Sequence, residues 1–221
     1  MSRIVVKVGG AVATESAAAV LELAREREVC VVHGAGPQIT ATMQRLGLPV
    51  EFVGGRRVTT TAVLAVVRTS FEAVNHALCC AIGPLAVPLV GDEIGLRAQL
   101  VPGLGLVGDP LPSSPAAIED ALAAGLIPVV MPIAEGPLNV NADEAAAALA
   151  LGLGAERLLF LTDVDGVILD GRVADAIDAA HATALLDGGS LEGGIVPKLR
   201  AATVAAREGV PAAIGRTAVT A

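Results

Sequence analysis

Short runs of β-branched residues alternate with longer Ala-rich stretches along this chain, and that alternation limits its fold more than any other feature. "RIVVKV" (3–8), "VCVVH" (29–33), "LAVPLV" (85–90), "LIPVVM" (126–131), "RLLFLT" (157–162) and "PAAI" (211–214) read as strands. Residues 14–27, 37–46, 59–83, 115–124, 143–153 and 197–208 carry helical spacing, and Pro37 opens the second of these at a favoured first position. Such repetition builds a parallel sheet with crossover helices on its faces. Residues 96–108 and "DVDGVILDG" (163–171) read as hairpins, the first turning at Pro102 and Gly103. No low-complexity linker divides the 221 residues, so two lobes sharing one continuous sheet are expected.

Several function classes drop out early. The net charge is −8, and with three Phe and no Trp or Tyr the chain lacks both the basic patches and the stacking surfaces that nucleic acid requires. The N-terminal "MSRIVVKVGG" has no long apolar region before a cleavage site, and "ALAAGLIPVVMPIA" is broken by Gly and Pro and too short to span a bilayer. A cytoplasmic protein with no membrane partner is expected. Cys30, Cys79 and Cys80 are odd in number, and they and the scattered His33, His76 and His181 show no metal spacing. Buried free thiols are the expectation, with no protein-built metal site.

Glycine placement is more informative. "GLGLVG" (103–108) precedes "DPLP" instead of opening a helix, so it fails the structural condition of a dinucleotide motif; no Gly-Lys pair exists for a Walker A loop. "VKVGG" (Gly9, Gly10) and "VVHGAG" (Gly34, Ala35, Gly36) each end a strand and open a helix. There, backbone amides at a helix start can meet an anion, although a plain tight turn reads the same way when taken singly. Of the fifteen basic residues only Lys7 and Lys198 are lysines, and each lies within four residues of a Gly-Gly pair. Where arginine serves everywhere else, the two lysines mark positions suited to a compact ammonium. Lys198 also follows Pro197 at a helix start, where the dipole disfavours a cation unless an anion binds.

"LNVNADEAAAALA" (138–150) holds two of the chain's three asparagines. Asn141, with Glu144 three residues later, fits a capping box, whereas Asn139 and Asp143 read as functional, the carboxylate being placed to hold ammonium groups. Arg56 and Arg57 in "GGRRVT" offer a fork for a carboxylate or are a solvated pair. "LTDVDGV" sets Asp163 and Asp165 after a strand, with Asp165-Gly166 a turn signal first of all.

Taken together, "KVGG", "VVHGAGP", "GRRVT", "LNVNADEAA", "LTDVDGV" and "GGIVPK" resemble, in order and approximate spacing, the amino acid kinase family over residues 3 to about 214. The closest resemblance is to the branch that phosphorylates N-acetyl-L-glutamate in arginine biosynthesis. It implies an α/β/α sandwich with an open, mainly parallel central sheet, an amino-acid lobe (1–135) and an ATP lobe (136–221). It implies that Lys7 and Lys198 stabilise the transferring phosphoryl group and that Asp143 orients both. Arg57 and Asn139 hold the acceptor's α-carboxylate side, and the amides of Gly9, Gly10, Gly34, Ala35 and Gly36 meet phosphate and substrate. Asp163, Gly166, Ser190 and Glu192 border the nucleotide, with ATP and Mg2+ as the implied cofactors.

The sequence also departs from that pattern. Ala35 stands where the family has a third glycine, Arg56 where Leu is usual, and Ile195 where Met is common. The usual last helix and final strand are expected to be missing. With no helix ahead of the first strand, the expectation is a feedback-insensitive homodimer. The alternatives are a kinase for a related, possibly carrier-linked aminoadipate or carboxylate, and an inactive nucleotide-binding regulatory module.

Overall fold

Strand β1 (Ser2–Val8) alternates its side chains between two buried environments, and the architecture grows from that alternation. Val5 packs in one apolar cluster, Ile4, Val6 and Val8 in another. The computed structural model describes residues 2–221. After β1 come β2 (Arg27–His33), the pair β3 (Phe52–Val53) and β4 (Arg56–Arg57), β5 (Ala86–Val90), β6 (Ala98–Leu100), β7 (Val107–Pro110) and β8 (Ile127–Met131). They are followed by β9 (Ile133–Ala134), β10 (Leu138–Val140), β11 (Arg157–Leu161), β12 (Ile168–Leu169), β13 (Arg172–Val173), β14 (Ala176–Asp178), β15 (Ala212–Ile214) and β16 (Thr217–Thr220). The helices are α1 (Ala17–Ala24), α2 (Gly36–Arg45), α3 (Thr61–Ile82), α4 (Ala116–Ala123), α5 (Ala142–Gly152), α6 (Ala179–Asp187) and α7 (Ile195–Arg207).

Eight strands form the main sheet in the order β14-β16-β15-β11-β1-β2-β8-β5. Every neighbouring pair is parallel except β15 and β16. Helices α1, α2 and α3 cover one face, and α4 to α7 cover the other, giving on one continuous sheet the α/β/α sandwich that the family resemblance implied. Because the chain leaves β1 toward β2 on one side and later returns as β11 on the other, β1 lies at a switch in strand order. Open parallel sheets bind ligands at the carboxyl ends of their strands at such a switch.

The alanine runs set how closely the second layer packs. Ala145 to Ala150 along α5 and Ala201, Ala202, Ala205 and Ala206 along α7 are all buried, so these helices and the sheet approach one another with little side chain between. That fixes the first turn of α5 against the end of β1.

Several expectations change. The region 14–27 forms only the eight-residue α1, behind a 3-10 turn at Gly10–Val12. Residues 96–108 do form a hairpin, but β7 and β10 join in parallel and β9 completes a separate four-stranded sheet. The second hairpin turns at Asp170-Gly171, not Asp165-Gly166. The expected loss of a final strand is corrected: β16 follows β15 through a turn at Gly215 and brings β14 into the sheet. Of the cysteines only Cys30 is buried, its thiol pushed up to about 12 by burial; Cys80 is exposed on α3. No helix among the described residues is long and apolar enough to cross a membrane.

Candidate active site

Period-2 alternation puts Lys7 on the same face of β1 as Val5, toward α5. Its Nζ stands 2.8 Å from Asp143 Oδ1, with both residues only 5% exposed. The approach does not meet hydrogen-bond geometry at that oxygen, so the contact is an ion pair that leaves donor capacity on the ammonium. Asp143 is fixed in turn by the helix start. Asn141 caps α5, its Oδ1 accepting from Asp143 N at 2.8 Å and Glu144 N at 3.3 Å. The capping box is completed on one side only, because Glu144 turns away to Arg56 at 3.0 Å instead of reaching back to Asn141.

The two glycine turns meet above Lys7. A Cβ on Gly10 would fall 2.7 Å from Gly34 O and 2.9 Å from Ala35 Cα, so only glycine lets these turns touch. Gln38 Nε2 donates to Gly10 O at 2.8 Å and ties the first turn to α2. The amides of Gly9 and Gly34 are already donated, to Leu161 O and Val8 O, which corrects the expectation that all the glycine amides face a ligand. Among the described residues, the amides of Gly10, Ala35 and Gly36 have no backbone partner. Ala35 sits at φ −145°, a conformation that needs no glycine, and its methyl is buried in the cluster on the α1–α3 face, so its replacement of a glycine is accommodated.

Arg57 is the unusual cation. It is 6% exposed, donates to Thr40 Oγ1 at 2.8 Å, lies 4.5 Å over the Phe52 ring, and has no carboxylate partner among the described residues. Burial pushes its pKa down. An unpaired buried guanidinium is costly unless an anion arrives. Asn139 Nδ2 donates to Thr59 Oγ1 at 3.0 Å, and Thr59 Oγ1 to Arg57 O at 2.8 Å, so the two expected carboxylate-side groups are linked. Arg56 instead clamps Glu144 and Asp109, holding the β3–β4 hairpin to α5 and β7. Phe52, Thr40 and Thr59 were not singled out from sequence; the scarcity of Phe was the one available signal for the first.

These groups line a cleft of about 370 Å³ that holds Lys7, Gly10, Ala35, Arg57, Asn139, Asp143, Asp163 and Lys198. A second cleft, of about 520 Å³, is lined by Asp163, Asp165, Gly166, Ser190, Glu192 and Lys198. Lys198 and Asp163 belong to both. Lys198 lies in the first turn of α7, where its Nζ donates to Gly194 O at 3.0 Å. Burial lowers its pKa, with Lys7 adding to the effect and Asp143 and Asp163 opposing it. Asp163 is held below the usual carboxylate range, chiefly by the Thr162 hydroxyl and its own backbone amide, then by Lys198 and Lys7. At Gly166 (φ 154°) a Cβ would meet Thr217 Oγ1 at 2.5 Å, so this glycine serves the packing of the β16 turn against the cleft floor.

The family model for the amino acid kinase family matches residues 2–216. The chain belongs to the amino acid kinase family. Among curated relatives, the acetylglutamate kinase of Rubrobacter xylanophilus is 43% identical over 97% of this chain and 88% of its own length. That of Saccharopolyspora erythraea is 46% identical over 83% and 67%. In three dimensions, a Streptococcus mutans protein superposes with a TM-score of 0.87 at 26% identity, covering 99% of this chain and 98% of its own. The carbamate kinase of Giardia lamblia bound to AMP-PNP superposes at 0.74 and 16% identity over 99% and 98%, a likeness of fold alone. The amino acid kinase fold and the motif order read from the sequence thus agree with the architecture described above.

Proposed function

We infer that this amino acid kinase is an acetylglutamate kinase, transferring the γ-phosphoryl group of ATP to the side-chain carboxylate of N-acetyl-L-glutamate in arginine biosynthesis. The observation that supports the reading is the meeting of two clefts at Lys198 and Asp163, one also lined by the cations Lys7 and Arg57 and the other by Gly166, Ser190 and Glu192. The names and extents of the curated relatives support the acceptor.

In this reading an oxygen of the acceptor carboxylate forms a bond to the γ-phosphorus as the bond to the bridging oxygen of ADP breaks. The nucleophile is already ionised, so no general base is required; the task is to position two anions and neutralise charge. Lys7 and Lys198 flank the transferring group and Asp143 orients Lys7 directly. At about 4 Å and an effective dielectric near 20, each ammonium contact is worth roughly 4 kcal/mol before desolvation. Gly10, Ala35 and Gly36 supply amides to the same oxygens. Arg57 binds the acceptor's α-carboxylate with its bidentate fork, and Asn139 fixes the neighbouring polar atoms.

ATP fits the second cleft, whose lining residues all lie within 136–221, bordered by Asp163, Gly166, Ser190 and Glu192. Among the described residues no group of three His, Cys, Asp or Glu gathers to hold a metal. Mg2+ fits as a partner of the nucleotide's phosphates, the usual mode for this ion, and supplies charge neutralisation there.

The test is ATP- and Mg2+-dependent acyl phosphate formation, trapped as a hydroxamate with hydroxylamine. N-acetyl-L-glutamate, free glutamate and α-aminoadipate are compared. Signal with N-acetyl-L-glutamate alone is expected; signal with another acceptor alone, or ATP binding with no hydroxamate, rejects the assignment.

A further inference from the structure

The chain's third asparagine, Asn75, lies outside both clefts, yet it is wired to one of the glycine turns. His33 ends β2 on the face it shares with Val29 and Val31, which turns its ring toward α3. There it is fully buried, edge-on to Phe71 with ring centroids 5.8 Å apart. Asn75 Nδ2 lies 3.1 Å from His33 Nε2 and 2.9 Å from Val129 O. The carbonyl of Val129 can only accept, so the amide nitrogen of Asn75 must face it. The Cys79 thiol donating to Oδ1 at 3.5 Å gives the same orientation.

That orientation decides the state of the imidazole. Nδ2 carries two hydrogens; one serves Val129 and the other points at Nε2, which must therefore offer a lone pair. The ring proton then sits on Nδ1, whose acceptor is Gly34 O at 3.4 Å. The peptide between Gly34 and Ala35 is trans, so tying back the Gly34 carbonyl sends the Ala35 N–H the opposite way. Ala35 lines the acceptor cleft, and its amide has no backbone partner among the described residues.

We propose that Asn75 is a positioning residue: its side-chain amide fixes His33 as the neutral Nδ1–H tautomer, and that proton, bonded to Gly34 O, aims the Ala35 amide at the cleft. The proposal rests on the phosphoryl-transfer reading for what the amide then stabilises, but the tautomer lock does not. Burial, with some help from Lys7 on β1, lowers the His33 pKa to about 4, so the lock holds through the neutral range. The Cys79 thiol, raised to about 11 chiefly by burial, stays protonated there.

Three variants separate the lock from general packing. Asn75→Asp offers Nε2 an acceptor, so neutral His33 takes the Nε2–H form and its Nδ1 lone pair faces Gly34 O; only the imidazolium keeps the Nδ1 bond. Its kcat is expected to fall at least about tenfold as pH rises through the new His33 pKa, a limb wild type lacks, while the KM for the acceptor changes less than twofold. His33→Asn, whose Nδ2 occupies the place of Nδ1, is expected to retain at least about fivefold more activity than His33→Gln, whose amide reaches toward Nε2 instead.

Nitrogen NMR of the imidazoles in the wild-type chain, which has three histidines, needs no variant to fold. It should show His33 as Nδ1–H and not titrating above about pH 5. The Ala35 amide resonance should shift with Mg2+–AMP-PNP in wild type and not in Asn75→Asp at high pH. An Nε2–H signal for wild-type His33, an Asn75→Asp profile parallel to wild type, or equal activity of the two His33 variants overturns the proposal. If wild type forms no hydroxamate, the kinase reading fails alone, and the His33 tautomer, read from the imidazole nitrogens, still decides the lock.

Discussion

Lys7 Nζ and Asp143 Oδ1 lie 2.8 Å apart and join the end of the first strand to the first turn of α5, both side chains out of solvent. Burying such a pair returns little net stability, yet removing one partner leaves an uncompensated charge inside the protein. Asp143→Ala is therefore expected to lose roughly 3–5 kcal/mol in urea unfolding, together with activity. Adding Lys7→Met to that variant should recover most of the stability and none of the activity. A double variant as unstable as Asp143→Ala would show that the two charges do not act as a pair.

Lys198 contrasts with Lys7. Its ammonium is held by one carbonyl, Gly194 O, in a cleft shared by acceptor and nucleotide. Lys198→Ala should leave the unfolding midpoint almost unchanged and lower kcat by on the order of 10²-fold or more, the scale of a lost transition-state donor; a loss under threefold would reject the role. Since burial depresses its pKa, the charged form is lost as pH rises through a value below the ordinary 10.5. The alkaline limb of the wild-type kcat profile should fall below that value and disappear in Lys198→Arg, whose guanidinium keeps its charge but not the compact geometry.

Much of this site was legible before the fold was. The two lysines stood out because the chain otherwise uses arginine, and Gly10 because strand, glycine pair and helix follow in order. Asn141 could be read as a cap, since a cap is a local device. What could not be read was non-local: Glu144 leaves the capping box because Arg56, on a hairpin far away in sequence, draws its carboxylate. Likewise β10 is three residues that become a strand only by finding β7 and β9, and β16 exists because Gly215 turns it back on β15. Helix α6 went unread despite Asp178 capping it, its Ala-rich sequence lying in the stretch after the second hairpin. Asn75 was passed over because its partners, His33 and Val129, belong to strands that meet only in the folded sheet.

Arg57 trades stability for binding. Its buried guanidinium has no carboxylate to face among the described residues, so Arg57→Met should leave the unliganded protein at least as stable as wild type. The same variant should raise the KM for N-acetyl-L-glutamate by about 10²-fold or more with the KM for ATP unchanged. Arg57→Lys should recover little of it, because the fork is lost. Equal rises in both KM values would place Arg57 outside the acceptor site.

The glycines of the two turns should respond oppositely to a single methyl. At Gly10 the added carbon meets Gly34 O at 2.7 Å and Ala35 Cα at 2.9 Å, so Gly10→Ala must force the turns apart, with a cost of about 1–3 kcal/mol and loss of most activity. At Gly36 nothing lies within 4 Å of the new carbon, and the first position of α2 suits alanine. Gly36→Ala should fold as well as wild type, and urea unfolding of the two variants side by side is the check.

His33 gives the stability of the protein an acid limb with a definite sign. Its folded pKa is lowered to about 4 by burial, whereas the unfolded chain titrates near 6.5. Above that range neither state binds the proton and the group is neutral to stability. As pH falls below 6.5 the unfolded state takes it up first, so stability declines until about pH 4 and levels off below. The penalty reaches about 2–3 kcal/mol near pH 4.5. Carboxylates titrate in the same window, so the measurement is a difference: His33→Asn is compared with wild type by urea unfolding at pH 7.5 and pH 4.5. The variant's deficit should shrink by about 2–3 kcal/mol at the lower pH, because only wild type carries the unprotonated imidazole. A deficit that stays constant would mean that His33 takes up its proton in the fold as readily as in the unfolded chain, so that the lone pair to which Asn75 donates is lost below about pH 6.5.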